Sequence, residues 1–142
     1  MAGLILEQGL TSLAVYNGTL IAWLKTLQLG LFKNNHAPTV TDTDVSYTAA
    51  NFDGYALTAA ITTWTLSGFD ANANLQYTNA DITFTMTGSV TPNQIYGYYL
   101  YDGTHIVMAE ANGVSGGVAM AGAGYTYTVS LNFYLGQILT PV

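Results

Sequence analysis

Tyr125-Thr126-Tyr127-Thr128-Val129-Ser130-Leu131-Asn132-Phe133-Tyr134-Leu135 is the stretch that decides the fold. Its odd-numbered residues are aromatic or aliphatic, and four of the even-numbered ones are Thr, Thr, Ser and Asn. A period of two puts the first set on one face of a strand and the second on the other. Asp81 to Thr87 repeats the pattern, with Ile82, Phe84 and Met86 inward and Thr83, Thr85 and Thr87 outward. Ile95 to Tyr101 is aromatic and leads into Asp102-Gly103, followed by Thr104 to Ala111. Two such runs around Asp-Gly form the strongest short-range hairpin signal. Leu57 to Leu66 is Thr-rich and β-branched, as strands are. Turn signals fall at 67–80, in Ser67-Gly68 and Asp70-Ala71-Asn72-Ala73-Asn74, and residues 112–124 read as a Gly-rich loop. The spacing predicts a mainly β, single-domain antiparallel β-sandwich or jelly roll of about six to eight strands.

The N-terminal quarter reads differently. Leu6, Leu10 and Leu13 recur at helical spacing, with Ile5 and Val15 widening the stripe, and Asn17-Gly18 reads as a stop. Thr19 caps a second short helical piece carrying Leu20, Leu24 and Leu27, although helix and strand compete here. From Thr26 the period changes to two, with Leu27, Leu29 and Leu31 alternating up to Lys33. Asn34 to Pro38 is a turn, and Pro38 to Asp44 a polar extended loop. The expected organisation is one domain over 1–142, with a short apolar arm or helix over 1–25 and the β-sandwich over 26–142. The uncharged run Gly9–Leu24 holds 16 residues with several polar ones among them, short of the ~20 a spanning helix needs. Glu7 is the first charge, where a signal peptide wants basic residues. Neither a signal peptide nor a membrane span is expected.

Composition narrows function. Charged residues make up 7% of the 142, against about 25% in a typical soluble domain. There are two Lys, no Arg and eight acids, for a net charge of −6. Phosphate contacts need basic residues, so no nucleic-acid partner is expected. The absence of Cys excludes a disulfide framework, a thiolate metal site and a Cys nucleophile. His36 and His105 are the only imidazoles, and neither lies in a recognisable nucleophile motif. The eight acids show no spacing that selects a glycosidase pair. Asp42 and Asp44 lie on one side of an extended segment, with Asp53 nearby, and a hard cation such as Ca²⁺ accepts such oxygens. EF-hand spacing is absent, and the ordinary reading is a solvated loop. The Gly-rich loop lacks the Lys of a phosphate cradle. The chain therefore reads as a non-enzyme with no cofactor and no metal.

The tyrosines carry more information. Tyr96, Tyr98, Tyr99 and Tyr101 crowd one strand and populate both its faces. Tyr is enriched at interfaces. A subunit contact or a platform for glycans would each use such a strand, and a subunit packed on several sides needs little surface charge.

Leu29-Gly30-Leu31-Phe32-Lys33-Asn34-Asn35-His36-Ala37-Pro38-Thr39 resembles a segment of small virion proteins of tailed bacteriophages. The same family has an acidic loop and an aromatic-Gly-Tyr-Ala step, similar to Phe52-Asp53-Gly54-Tyr55-Ala56 here. Its Asp-Ile-Thr-Phe-Thr strand resembles Asp81 to Thr85, and its Tyr-Gly-Tyr-Tyr-Leu strand resembles Tyr96 to Leu100. Its C-terminal strand is similar to the one carrying Phe133 and Leu135-Gly136, so the likeness spans roughly 26–136. The resemblance implies a β-sandwich virion protein, often a trimeric capsid decoration (cement) subunit, made in the host cytoplasm and carried on the capsid surface. Its partners would be itself, as a homotrimer, and the major capsid protein or neighbouring virion proteins, with no membrane involved. The family has more charge in the hairpin and the C-terminal strand. Here only Asp102 and Glu110 lie near the hairpin and the last strand has none, which favours burial at subunit contacts. The residues expected at that interface are Leu6, Leu10, Leu13, Trp23 and Tyr98. The alternative is a tail or head-fibre module that reads host surface glycans.

Overall fold

The computed structural model describes residues 4–5, 20–69 and 75–134. It is mainly β, in small antiparallel sheets, and consistent with a β-sandwich. Among the described residues helix is confined to α1, Leu20–Leu24, and a 3-10 turn at Asp44–Ser46. One sheet runs in the order β1 (Leu4–Ile5), β8 (Ile106–Ala111), β7 (Gly97–Tyr101), β2 (Gln28–Phe32). A second has β4 (Leu75–Thr78) between β11 (Asn132–Tyr134) and β3 (Thr65–Phe69). Two further pairs join β5 (Ile82–Thr85) to β10 (Thr126–Val129) and β6 (Asn93–Ile95) to β9 (Val118–Met120).

The first sheet is buried on both faces by its own chain. Leu29, Leu31, Tyr98, Leu100 and Met108 share one face, set by the registers Leu29↔Leu100, Leu31↔Tyr98 and Leu100↔Met108. They join the main core with Trp23, Leu27, Trp64, Phe84, Met86, Val129, Leu131 and Phe133. The opposite face carries Phe32, Tyr99, Ile106 and Ala109, roofed by Tyr47. Each fully buried aliphatic or aromatic side chain contributes about 1.5–3 kcal/mol, so these two cores, rather than charges, hold the fold. Two glycines make room for rings. A Cβ on Gly30 would lie 2.3 Å from the Tyr99 ring, and one on Gly97 would lie 2.1 Å from the Glu110 carbonyl oxygen and 2.5 Å from the Phe32 ring.

The edge of β2 is not left open. Lys33 N–H donates to Thr48 O (2.8 Å), Ala50 N–H to Leu31 O (2.9 Å), Thr58 N–H to Leu29 O (3.1 Å) and Ile61 N–H to Leu27 O (2.8 Å). Residues 48–61 thus cap an edge that would otherwise offer unpaired groups to other strands.

Several sequence expectations need correction. Leu4–Ile5 form a strand on β8, at Leu4↔Ala109 and Ile5↔Met108, rather than the start of a helix. The rest of the expected first helix lies outside the described residues. Ser67-Gly68 does not turn; β3 continues through it with a register shift between Leu66 and Gly68, a bulge at a residue pair that also suits turns. Leu57 to Trp64 forms no strand; two of its amides, those of Thr58 and Ile61, donate to the β2 edge instead. The Gly-rich segment 112–124 contains β9. His105 sits in the turn of the β7–β8 hairpin, where Asp102 N–H donates to His105 O (3.0 Å). No helix among the described residues is long and apolar enough to cross a membrane.

Candidate functional site

The segment that leaves β2 builds a polar cluster around Asp42. Pro38 disfavours helix, and a turn follows in which Asp42 N–H donates to Thr39 O (3.2 Å). This turn points the Asp42 side chain inward, where it is 8% exposed. Its Oδ2 accepts from Thr39 N–H (2.9 Å) and Tyr47 O–H (2.7 Å) and meets His36 Nε2 at 2.6 Å; Oδ1 accepts from the Thr39 hydroxyl at 2.7 Å. Burial alone would push this carboxyl up. The donors from the Thr39 backbone, Tyr47, His36 and the Thr39 hydroxyl outweigh it and hold Asp42 well below the usual carboxylate range. The Tyr47 phenol is pushed in the other direction, above its ordinary value, by burial and by the Asp42 carboxylate it donates to. The Tyr47 ring stands edge-on to Phe32 (5.2 Å) and to His36 (5.3 Å), so the cluster locks the 34–47 segment over the second core.

Asp44 has a separate task. Its Oδ1 accepts from Ile106 N–H (2.7 Å), and its Oδ2 meets His105 Nδ1 at 3.1 Å, tying the 3-10 turn to the β7–β8 hairpin. Asp53 accepts from Val90 N–H (2.7 Å) and Thr91 N–H (3.4 Å). The expected cation oxygens are thus three separate clamps within the chain. Among the described residues no group of three His, Cys, Asp or Glu is placed to hold a metal ion. Asp42 and Asp44, on one side of an extended segment in the sequence reading, are held by different elements.

Two clefts flank the cluster. One, of about 250 Å³, lies over the second core between Asp44, Tyr47, Leu57, Tyr99, Tyr101 and Ile106. The other, of about 330 Å³, lies between Asn35-His36-Ala37, Tyr96 and the 111–116 segment. A carboxylate-held imidazole is half of a general-base device, but the only hydrogen-bond partner recorded for the His36 side chain among the described residues is Asp42. The pair therefore works as a latch with one face toward a cleft.

The expected interface residues divide. Leu6, Leu10 and Leu13 lie outside the described residues. Trp23 is 3% exposed and packs edge-on against Phe133 (6.2 Å). Tyr98 is 7% exposed and donates its hydroxyl to Glu110 Oε2 (3.0 Å). Burial and the neighbouring Glu110 carboxylate push the Tyr98 phenol up. Both residues are spent within the chain's own core and offer no surface to a partner. The Tyr-rich strand does carry tyrosine on both faces, but the chain covers both itself. Among the tyrosines whose burial is described only Tyr125 is strongly exposed. Sequence reasoning missed the Asp42 cluster. Its signal was the Thr39-x-x-Asp42 spacing after Pro38, which suits a side-chain-capped turn. Comparison with protein-family models, curated proteins and solved structures finds no match to this chain.

Proposed function

We propose that this chain is a structural subunit of a tailed-phage particle, most simply a capsid decoration protein that stabilises the shell as a homotrimer. One observation carries the reading. The carboxylates of Asp42, Asp44, Asp53, Asp81, Asp102 and Glu110 each accept a hydrogen bond from the chain itself. The acids serve to rigidify loops rather than to meet a substrate. A rigid, charge-poor β body suits a subunit whose work is contact. The resemblance over 26–136 supplies the phage context. A protein that binds the assembled shell and not its free subunits raises shell stability by mass action. The contacts would come from the N-terminal arm and from the major capsid protein, since Trp23 and Tyr98 are used internally.

Light scattering on the full chain and on a chain lacking residues 2–18, paired with binding to purified shells, tests this. The expected result is a trimer near three times 15.1 kDa for both chains, with shell binding lost on truncation. A monomer in both, or undiminished shell binding by the truncated chain, overturns it.

A further inference from the structure

The cleft beside His36 has features that a packing defect lacks. Its walls are fixed from behind. Asp42 holds His36 from one side. On the other, Asn112 Nδ2–H donates to Ile95 O (2.7 Å), Asn112 N–H donates to Tyr96 O (2.8 Å), and Val114 N–H donates to Asn112 Oδ1 (3.0 Å). Gly117 N–H closes the turn on Val114 O (3.0 Å). A Cβ at Gly117 would come within 3.2 Å of the Tyr96 ring, so the loop is seated against that ring. The cavity is preformed, as small-ligand sites are.

The groups lining it are complementary to one kind of ligand. Tyr96 is a half-buried aromatic ring. Asn35 and Ser115 are exposed and have no hydrogen-bond partner among the described residues. Asp42 engages the Nε2 of His36, which leaves Nδ1 to hydrogen-bond a ligand hydroxyl. An amide, a hydroxyl, an imidazole nitrogen and an aromatic face suit a molecule with several hydroxyls on one side and C–H groups on the other. No Lys or Arg lines the cleft and the chain carries −6, so an anionic ligand is disfavoured. A space of about 330 Å³ holds the equivalent of about ten waters, which is the scale of one ring rather than a chain of them.

We propose that this cleft is a subsite for a single neutral pyranose ring, such as one unit of a surface polysaccharide. Tyr96 stacks on the C–H face, while Asn35, Ser115 and His36 Nδ1 bind hydroxyls.

Saturation-transfer NMR on the full chain tests the proposal, with the methyl pyranosides of glucose, galactose, mannose and N-acetylglucosamine as probes and methyl glucuronide as the anionic comparison. At least one neutral glycoside is expected to bind, at least tenfold tighter than the glucuronide. Asn35→Ala and Tyr96→Leu should each weaken it tenfold or more. Ser115→Tyr fills the cleft from an exposed position without touching either core and should abolish binding while the near-ultraviolet circular dichroism is unchanged. Tyr125→Ala, elsewhere on the surface, should leave binding as it was. No transfer to any neutral glycoside overturns the proposal, as does transfer that survives Ser115→Tyr.

Discussion

Asp42 shows how one side chain sets the behaviour of a segment. Four donors converge on a nearly buried carboxylate, two of them on a single Thr. Asp42→Ala leaves the Tyr47 and Thr39 hydroxyls without that acceptor and should lower stability by about 2–3 kcal/mol, measured by urea unfolding. The pH dependence follows from the direction of the shifts. The Asp42 carboxyl titrates lower in the folded chain than the ordinary 3.8. Its contribution is therefore complete above about pH 4 and is lost as the pH falls through the folded value. Acid unfolding of the parent chain should steepen below about pH 4, and the Ala variant should lack that part of the slope. The phenols act at the other end. Burial first, then the Asp42, Glu110 and Tyr55 neighbours, push Tyr47, Tyr98 and Tyr99 above their ordinary 10.0. Their contribution is complete below pH 10 and declines above it, because the unfolded chain ionises there and the folded one does not. Spectrophotometric titration of the tyrosines should show a late set that ionises only with unfolding. The sequence carries only the Thr39-x-x-Asp42 spacing of a capped turn; the burial and the other two donors are not visible in it. Its burial depends on Tyr47 finding Phe32, a contact of the folded chain.

At the scale of elements, the two ring-for-glycine exchanges across β2 and β7 make the sheet's second face possible. Gly30→Ala asks the Tyr99 ring to move, which it can do at a cost of about 1–2 kcal/mol. Gly97→Ala drives a methyl against the Glu110 carbonyl oxygen of the paired strand as well as the Phe32 ring. Backbone in a ladder cannot yield as a ring can, so Gly97→Ala should be the worse of the two, at about 3 kcal/mol or more. Denaturant midpoints of the two variants, compared at equal slope, check the order; equal losses would mean that β8 shifts to accommodate the methyl. Where the sequence was legible, the reason is local. Ile82 to Thr87 alternates because one face meets the core and the other water, and Phe84 and Met86 are buried while Thr83, Thr85 and Thr87 are exposed. The Val129, Leu131 and Phe133 face reads correctly for the same reason. The β7–β8 hairpin follows from Asp102, whose Oδ1 accepts from Thr104 and His105 N–H. Where it was illegible, distant pairing decides. Val118–Met120 is a strand only because Asn93–Ile95 lies beside it. Leu57 to Trp64 is not one, although its composition suits a strand; its Thr58 and Ile61 amides serve the edge of β2.

The whole molecule combines a charge of −6 with only two Lys, and that sets how copies of it can meet. Three copies together would carry 3 × −6 = −18. With almost no cations to pair against, an interface between copies must be built from apolar and neutral polar groups and must overcome mutual repulsion. Salt acts on these two terms differently. Screening shortens the reach of the repulsion from about 30 Å at 0.01 M ionic strength to about 8 Å at 0.15 M, while apolar contact is not weakened over that range. Self-association should therefore tighten as salt is raised. This is the opposite of an interface held by ion pairs, which loosens under the same change. Sedimentation velocity at fixed protein concentration, at the two ionic strengths and at pH 7.5, reads the difference directly. The expected outcome is a larger trimer fraction at the higher salt. A fraction that falls would show that the few charges, rather than the apolar surface, make the contact, and would turn attention to Lys25 and Lys33 as its cations.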